Sequence, residues 1–252
     1  MKLRVLGCSG AEFPGHSPSA FLIDDSLLLD AGTVGSVLNE EEQWRIRNIL
    51  VTHPHLDHIR SIPLLADNIV VSGLSQTVEV VSTKEVIAAI GSHLMNGVIW
   101  PDFTKIPTAE APVLRYREIV PEEFFQVGPY TVQACPVNHT VPAVGYRVSK
   151  GGTSLVYTGD TGPTQRIWEL AGDAAALVVE VSFPSEMEEI ALLTGHLTPR
   201  LLGTELKKLR TLPQRILITH LKPQYYERIK GELDALGLPG VELLQDGSVY
   251  DL

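Results

Sequence analysis

The chain has 252 residues, 44% of them apolar, and a formal charge of −10 at pH 7. That apolar content is enough to bury a full-sized core, and nothing in the sequence is linker-like, so one compact domain is expected. The acidic balance argues against a broad polyanion-binding surface, because nucleic-acid binding depends on Lys and Arg neutralising phosphates. A small anionic substrate stays compatible with it, since a pair of divalent ions outweighs the global field at short range.

Taken in chain order, Met1–Gly7 reads as a short strand ending in glycine, with no apolar run long enough for a signal peptide or a membrane span. The expectation is a cytoplasmic protein with no membrane association. Further β-branched apolar runs bounded by Gly, Pro or Asp predict strands at Ala20–Ile23, Leu27–Asp30, Asn48–Thr52, Val78–Val81, Tyr130–Pro136, Ala143–Val148, Ser154–Thr158, Leu177–Val181, Arg215–Thr219 and Val241–Leu244. Helical character falls at Thr83–His93, Gln165–Ala171, Glu186–Leu193, Pro199–Leu209 and Gln224–Leu236, with Thr198-Pro199 as a capping start signal. The proline-rich, nearly charge-balanced stretch Leu94–Pro121 predicts an inserted loop or arm near the binding site. Antiparallel-looking strands come first and strand–helix alternation follows, which predicts an α/β (α+β) architecture of packed sheets with helices outside. Cys8 and Cys135 lie in strand-like contexts outside any CxxC pattern and read as buried thiols.

The strongest chemical signal is Asn48-Ile49-Leu50-Val51-Thr52-His53-Pro54-His55-Leu56-Asp57-His58, a buried strand running into three imidazoles and a carboxylate. These are ligand types for Zn, Mn or Fe, and a loop leaving a strand points His53 and His55 to one side. Asp57 and His58 then face a second ion as the chain turns into a helix. Three other predicted strands end in ligand types, at His139, Asp160 and His220. Each alone is ordinary; their joint occurrence behind the first motif points to a catalytic di-metal site.

The motif His53-x-His55-x-Asp57-His58, followed by His139, Asp160 and His220 in that order, resembles the metallo-β-lactamase superfamily. Within it the chain is similar to the class II cyclic nucleotide phosphodiesterases through Asn96–Phe103, Tyr157–Pro163, Glu180–Pro184 and Gly195–Pro199. The resemblance covers nearly the whole length and implies a four-layer αββα sandwich with two mixed sheets. It further implies one ion on His53, His55 and His139, a second on Asp57, His58 and His220, and Asp160 bridging them. Zinc is the first choice, with Mn and Fe as alternatives.

A hydroxide bridging the two ions would attack phosphorus, oriented by Asp57, and the ions would stabilise phosphoryl charge. His196 lies outside the ligand set; the resemblance implies that it contacts the phosphate and protonates the departing oxygen. Glu180 either orients His196 or serves the backbone. The chain departs from the usual pattern at Ile59-Arg60-Ser61-Ile62-Pro63, where Gly commonly precedes the aliphatic residue, and Arg60 is a candidate anion contact.

The substrate implied is a 3',5'-cyclic nucleotide, with Trp100 and Phe103 as stacking candidates and Thr198 beside His196 as a further contact. Family resemblance also favours a homodimer. The rivals are a tRNA 3'-processing endonuclease, which would share every ligand and His196 but usually carries a Gly- and Lys-rich arm, and a metal- or ligand-binding protein without turnover. Asp30, at a strand end, is read as holding a ligand imidazole. His16 is a candidate pocket residue, His93 a helix-terminal one, Asp24-Asp25 a hairpin turn, and Lys207, Lys208 and Arg210 a solvated face.

Overall fold

The computed structural model describes residues 1–252. The first half runs β1 (Lys2–Gly7), β2 (Ala20–Ile23), β3 (Leu27–Leu29), α1 (Glu40–Gln43), β4 (Asn48–Leu50), α2 (Leu56–Ile59), α3 (Ser61–Val71), β5 (Val78–Thr83), α4 (Lys84–Ala89) and β6 (Leu114–Ile119). The second half runs β7 (Phe124–Val127), β8 (Tyr130–Pro136), β9 (Val144–Lys150), β10 (Thr153–Tyr157), α5 (Arg166–Ala171), β11 (Ala176–Glu180), α6 (Glu188–Thr194), α7 (Pro199–Glu205), β12 (Arg215–Thr219), α8 (Tyr226–Ala235), β13 (Val241–Leu243) and β14 (Val249–Asp251). No helix is long and apolar enough to cross a membrane.

Two seven-stranded sheets form, in the orders β14-β1-β2-β3-β4-β5-β6 and β13-β12-β11-β10-β9-β8-β7. Both are mixed in the same way. In the first, β14, β1, β2 and β3 pair antiparallel, and β3 to β6 pair parallel. In the second, β7 to β10 pair antiparallel and β10 to β13 parallel.

The continuous apolar runs follow from burial on both faces of each sheet. Period-two alternation sends Leu3, Val5, Phe21, Ile23, Leu27 and Leu29 into a core shared with Val132, Tyr146, Val178 and Leu217 of the other sheet. Their neighbours Leu6, Leu22, Leu28, Ile49 and Val51 turn the other way, onto Ile62, Leu65 and Ile69 of α3. On the second sheet Val156, Leu177, Val179, Ile216 and Ile218 pack with Ile167, Leu202 and Ile229 of α5, α7 and α8. The result is the αββα sandwich.

Three expectations need correction. Thr83 belongs to β5, where it pairs with Ile119, and α4 stops at Ala89 before a single π turn over Ile90–Leu94. The stretch 94–121 ends in β6, parallel to β5, which the sequence hides because Leu114 and Tyr116 alternate with Arg115 and Arg117 along an edge strand and form no apolar run of the kind that marks an inner one. The helix expected over Pro199–Leu209 tightens into a 3-10 turn at Leu206–Lys208.

Candidate metal centre

The sheets place the site at one end of the sandwich. β8, β10, β11 and β12 run in one direction, so the residues after their carboxyl ends emerge together. β4 delivers the His53–His58 loop to the same place, because the Thr52 carbonyl accepts from the Val144 amide at 3.0 Å and Tyr146 Oη donates to the Val51 carbonyl at 2.8 Å, tying the two sheets together.

Two ligand groups converge there. His55 Nδ1 lies 3.1 Å from His53 Nε2 and 3.2 Å from His139 Nε2. Asp57 Oδ2 lies 3.4 Å from His220 Nε2, and His58 completes this second group. Asp160 Oδ2 sits between the two, 3.7 Å from His53 Nε2, 3.4 Å from His58 Nε2 and 3.3 Å from His220 Nε2. A tetrahedral ion with bonds of about 2.1 Å separates its ligand atoms by about 3.4 Å, so these spacings fit two cations. A second observation agrees: His58 Nε2 and Asp160 Oδ1 are buried polar atoms with no hydrogen-bond partner.

The charge states fit as well. Burial, reinforced by neighbouring imidazoles, holds His53 well below the usual imidazole range, and burial likewise lowers His55 and His139, so all three keep a lone pair for a metal. Burial alone would raise Asp57 and Asp160, but His220 and His58 outweigh it and hold both carboxylates in their charged form. Burial opposes protonation of His58 too, yet Asp160 and Asp30 raise its pKa well above the usual value: the two carboxylates favour positive charge at this point.

The rings of His53, His139 and His58 are held from behind. His53 Nδ1 lies 2.9 Å from Thr52 Oγ1, which itself donates to Asp30 Oδ2 at 2.8 Å. His139 Nδ1 donates to the Gly195 carbonyl at 2.8 Å. Gly195, with φ +71° at the end of α6, is required there, since a Cβ would stand 2.9 Å from His139 Nδ1. His58 Nδ1 donates to Asp30 Oδ2 at 2.7 Å, and the same carboxylate accepts from the Thr52 amide at 2.7 Å and from Tyr157 Oη at 2.9 Å. Asp30 and His220 both adopt positive φ, 56° and 64°, a strained backbone that surrounding contacts must hold. Asp30→Ala removes one acceptor from four buried donor groups. Denaturant unfolding of the metal-free protein is expected to show a loss of about 3–5 kcal/mol; a loss below about 1 kcal/mol, the size of an ordinary substitution, would contradict this role.

Beside the ligands, His196 Nδ1 donates to Glu180 Oε1 at 2.8 Å, and its ring stacks on His220 with centroids 5.4 Å apart. Glu180 is fully buried and also accepts from the Thr161 and Leu197 amides, both at 3.2 Å, so it serves the histidine and the backbone together. Burial opposes protonation of His196, but Glu180 overrides it and raises the pKa.

Other candidates fall elsewhere. Phe103 is 2% exposed within the α3-side core and offers no open face to a base, while Trp100 packs half-buried against the same core. Thr198 is buried as the cap of α7, its hydroxyl accepting from the Leu201 amide at 3.3 Å, so it presents no surface to a substrate. Arg60 is held by a two-pronged pair with Glu12 and by the Gly32 carbonyl, so an incoming anion must displace Glu12. His16 lines a separate cavity of about 330 Å³ with Ser9, Leu221 and Asp246, and His93 is exposed in the π turn. Both cysteines are free and buried. Ser182 and Lys222 were not legible as site residues. Ser182 touches Glu180, His196 and His220, and Lys222 stands over the Phe183 ring, 5.9 Å from its centroid.

Fold and cluster together define a class: an αββα sandwich whose converging strand ends carry a cluster of histidines and carboxylates spaced to hold divalent metal ions. The family model described as "Beta-lactamase superfamily domain" matches residues 27–221, and the chain belongs to the metallo-β-lactamase superfamily. Ribonuclease BN of Cronobacter sakazakii is 23% identical over 256 residues, covering 80% of this chain and 80% of that protein. The 3',5'-cyclic-nucleotide phosphodiesterase 1 of Saccharomyces cerevisiae is 25% identical over 262 residues, covering 82% of this chain and 69% of its own. The crystal structure of unliganded yeast PDE1 shares the fold with a TM-score of 0.83 over 100% of this chain and 99% of that one, at 18% identity.

Proposed function

We propose that this chain is a metal-dependent phosphodiesterase that opens 3',5'-cyclic nucleotides to 5'-nucleotides. The His196–Glu180 pair, an acid held at 2.8 Å beside the groups His53/His55/His139 and Asp57/His58/His220, supports phosphodiester hydrolysis, which the nuclease reading shares, and the cation-poor stretch 95–113 carries the choice of a small cyclic substrate. Two divalent ions, when bound, supply Lewis acidity toward water and neutralise phosphoryl charge. His53, His55 and His139 would hold one, Asp57, His58 and His220 the other, and Asp160 would serve both. Asp57, with 34% of its side chain exposed against 3% for Asp160, is the carboxylate suited to orient the attacking water. His196 gives its proton to the departing 3'-oxygen from Nε2, since Nδ1 is engaged by Glu180.

A small substrate is favoured by the stretch 95–113, whose charged residues are Asp102, Lys105 and Glu110, with Lys105 paired to Asp102 at 2.8 Å. It lacks the run of free cations that a polyanion demands. Zinc suits the mixed imidazole and carboxylate set, and the reading includes a homodimer in the cytoplasm. Turnover of cyclic AMP and cyclic GMP, measured beside cleavage of a precursor tRNA, tests it: hydrolysis of a cyclic nucleotide is expected. Cleavage of the RNA with both cyclic nucleotides inert would favour the nuclease reading that Ribonuclease BN exemplifies. Inertness toward all three and toward a chromogenic phosphodiester, with zinc or manganese present, would leave a binding protein.

A further inference from the structure

Ser182, fully buried just after β11, has three polar neighbours and one proton to share among them: Glu180 Oε2 at 3.0 Å, His220 Nδ1 at 2.8 Å and His196 Nδ1 at 3.2 Å. The donors and acceptors settle one arrangement. His220 turns Nε2 toward Asp57 and Asp160, so that nitrogen needs its lone pair for an ion and Nδ1 carries the hydrogen. Nδ1–H donates to Ser182 Oγ, which leaves the serine hydroxyl to donate to Glu180 Oε2. The other carboxylate oxygen, Oε1, takes the Nδ1–H of His196 at 2.8 Å. One buried carboxylate therefore anchors both the candidate acid directly and a ligand of the second ion through a single hydroxyl. The rings of His58, His53 and His139 rest on Asp30, Thr52 and the Gly195 carbonyl, none of which belongs to this chain of contacts.

We propose that Ser182 is a positioning residue that fixes the Nδ1–H tautomer and the ring orientation of His220, and so couples occupancy of the Asp57/His58/His220 position to the placement of His196. Outer partners of metal-bound histidines change metal affinity by roughly 10–100-fold. The proposal rests on reading the cluster as a two-ion site, but its test needs no substrate.

Zinc binding would be followed by native mass spectrometry and by competition with a chromophoric chelator. Wild type is expected to take two ions. Ser182→Ala is expected to keep one at wild-type affinity and to lose roughly 10–100-fold at the other, while Ser182→Thr, which retains the hydroxyl, restores the second. Cobalt spectra would assign the weakened position. Two ions at wild-type affinity in Ser182→Ala would overturn the proposal, as would equal weakening of both, the mark of a general packing defect. In zinc-loaded wild type, long-range proton–nitrogen spectra should show His220 protonated at Nδ1, and an Nε2–H tautomer would overturn it without any variant. Failure of wild type to bind two ions would sink the two-ion reading itself, whereas failed turnover of cyclic nucleotides leaves this inference standing.

Discussion

Replacing His196 with alanine is expected to lower kcat on a cyclic nucleotide by roughly 10²–10⁴-fold, the usual contribution of a positioned general acid. The ring donates to Glu180 and stacks on His220, yet the two ligand groups are complete without it. The variant should therefore retain two ions, at a cost in stability because the fully buried Glu180 loses one of its donors. The loss should also depend on the leaving group, because a substrate that departs as a stable anion needs little protonation. Steady-state kinetics with a cyclic nucleotide and with a nitrophenyl phosphodiester, beside metal analysis of the same preparations, separate the outcomes. Equal losses on both substrates would argue that His196 binds phosphate rather than delivering a proton. Unchanged rates on both would remove it from the mechanism.

Stripping the ions with a chelator is expected to lower the melting temperature on the order of 10 °C per ion. An ion present at about 1,000 times its Kd contributes roughly 4 kcal/mol, and in a chain of this size 1 kcal/mol moves the melting point by roughly 2–4 °C. The physical cause is local. Without a cation, His58 Nε2 and Asp160 Oδ1 have no partner in a buried setting, a cost that a bound ion relieves. Scanning calorimetry on holo and stripped protein, with metal content checked by elemental analysis, measures the difference. A melting point that does not move after complete stripping would contradict a structural share for the ions.

The loop His53–His58 was legible because its four ligand types lie within six consecutive residues, where spacing alone sets their directions. His139, Asp160 and His220 were legible as ligand types at strand ends, but ordinary ones taken singly. What makes them a site is that β8, β10 and β12 run the same way in one sheet, which no local pattern specifies. Asp30 was recognisable as a strand-end carboxylate, whereas Tyr157, its buried hydroxyl donor across the sandwich, was not.

The expected substrate contacts at Thr198, Phe103 and Arg60 each have a structural partner that the sequence hides. Thr198 and Phe103 have side chains that suit a substrate contact and a structural role equally well, and only burial decides between them. Thr198 is buried as a cap, and Phe103 is closed within the core. Arg60 is an exposed-looking cation in sequence, but Glu12, distant along the chain, already holds it. Ser182 lies inside the Glu180–Pro184 segment, but its role is hidden for the same reason, since a serine after a strand is commonplace until His220, 38 positions on, is brought within 2.8 Å.

By itself the sequence determined the donor chemistry and the alternation of apolar residues, because ligand type and period-two burial are properties of short segments. Only the tertiary structure decided which donors meet, which face solvent and which rest on a second residue. Those outcomes depend on how two sheets are ordered and docked, and that is set by the whole core at once.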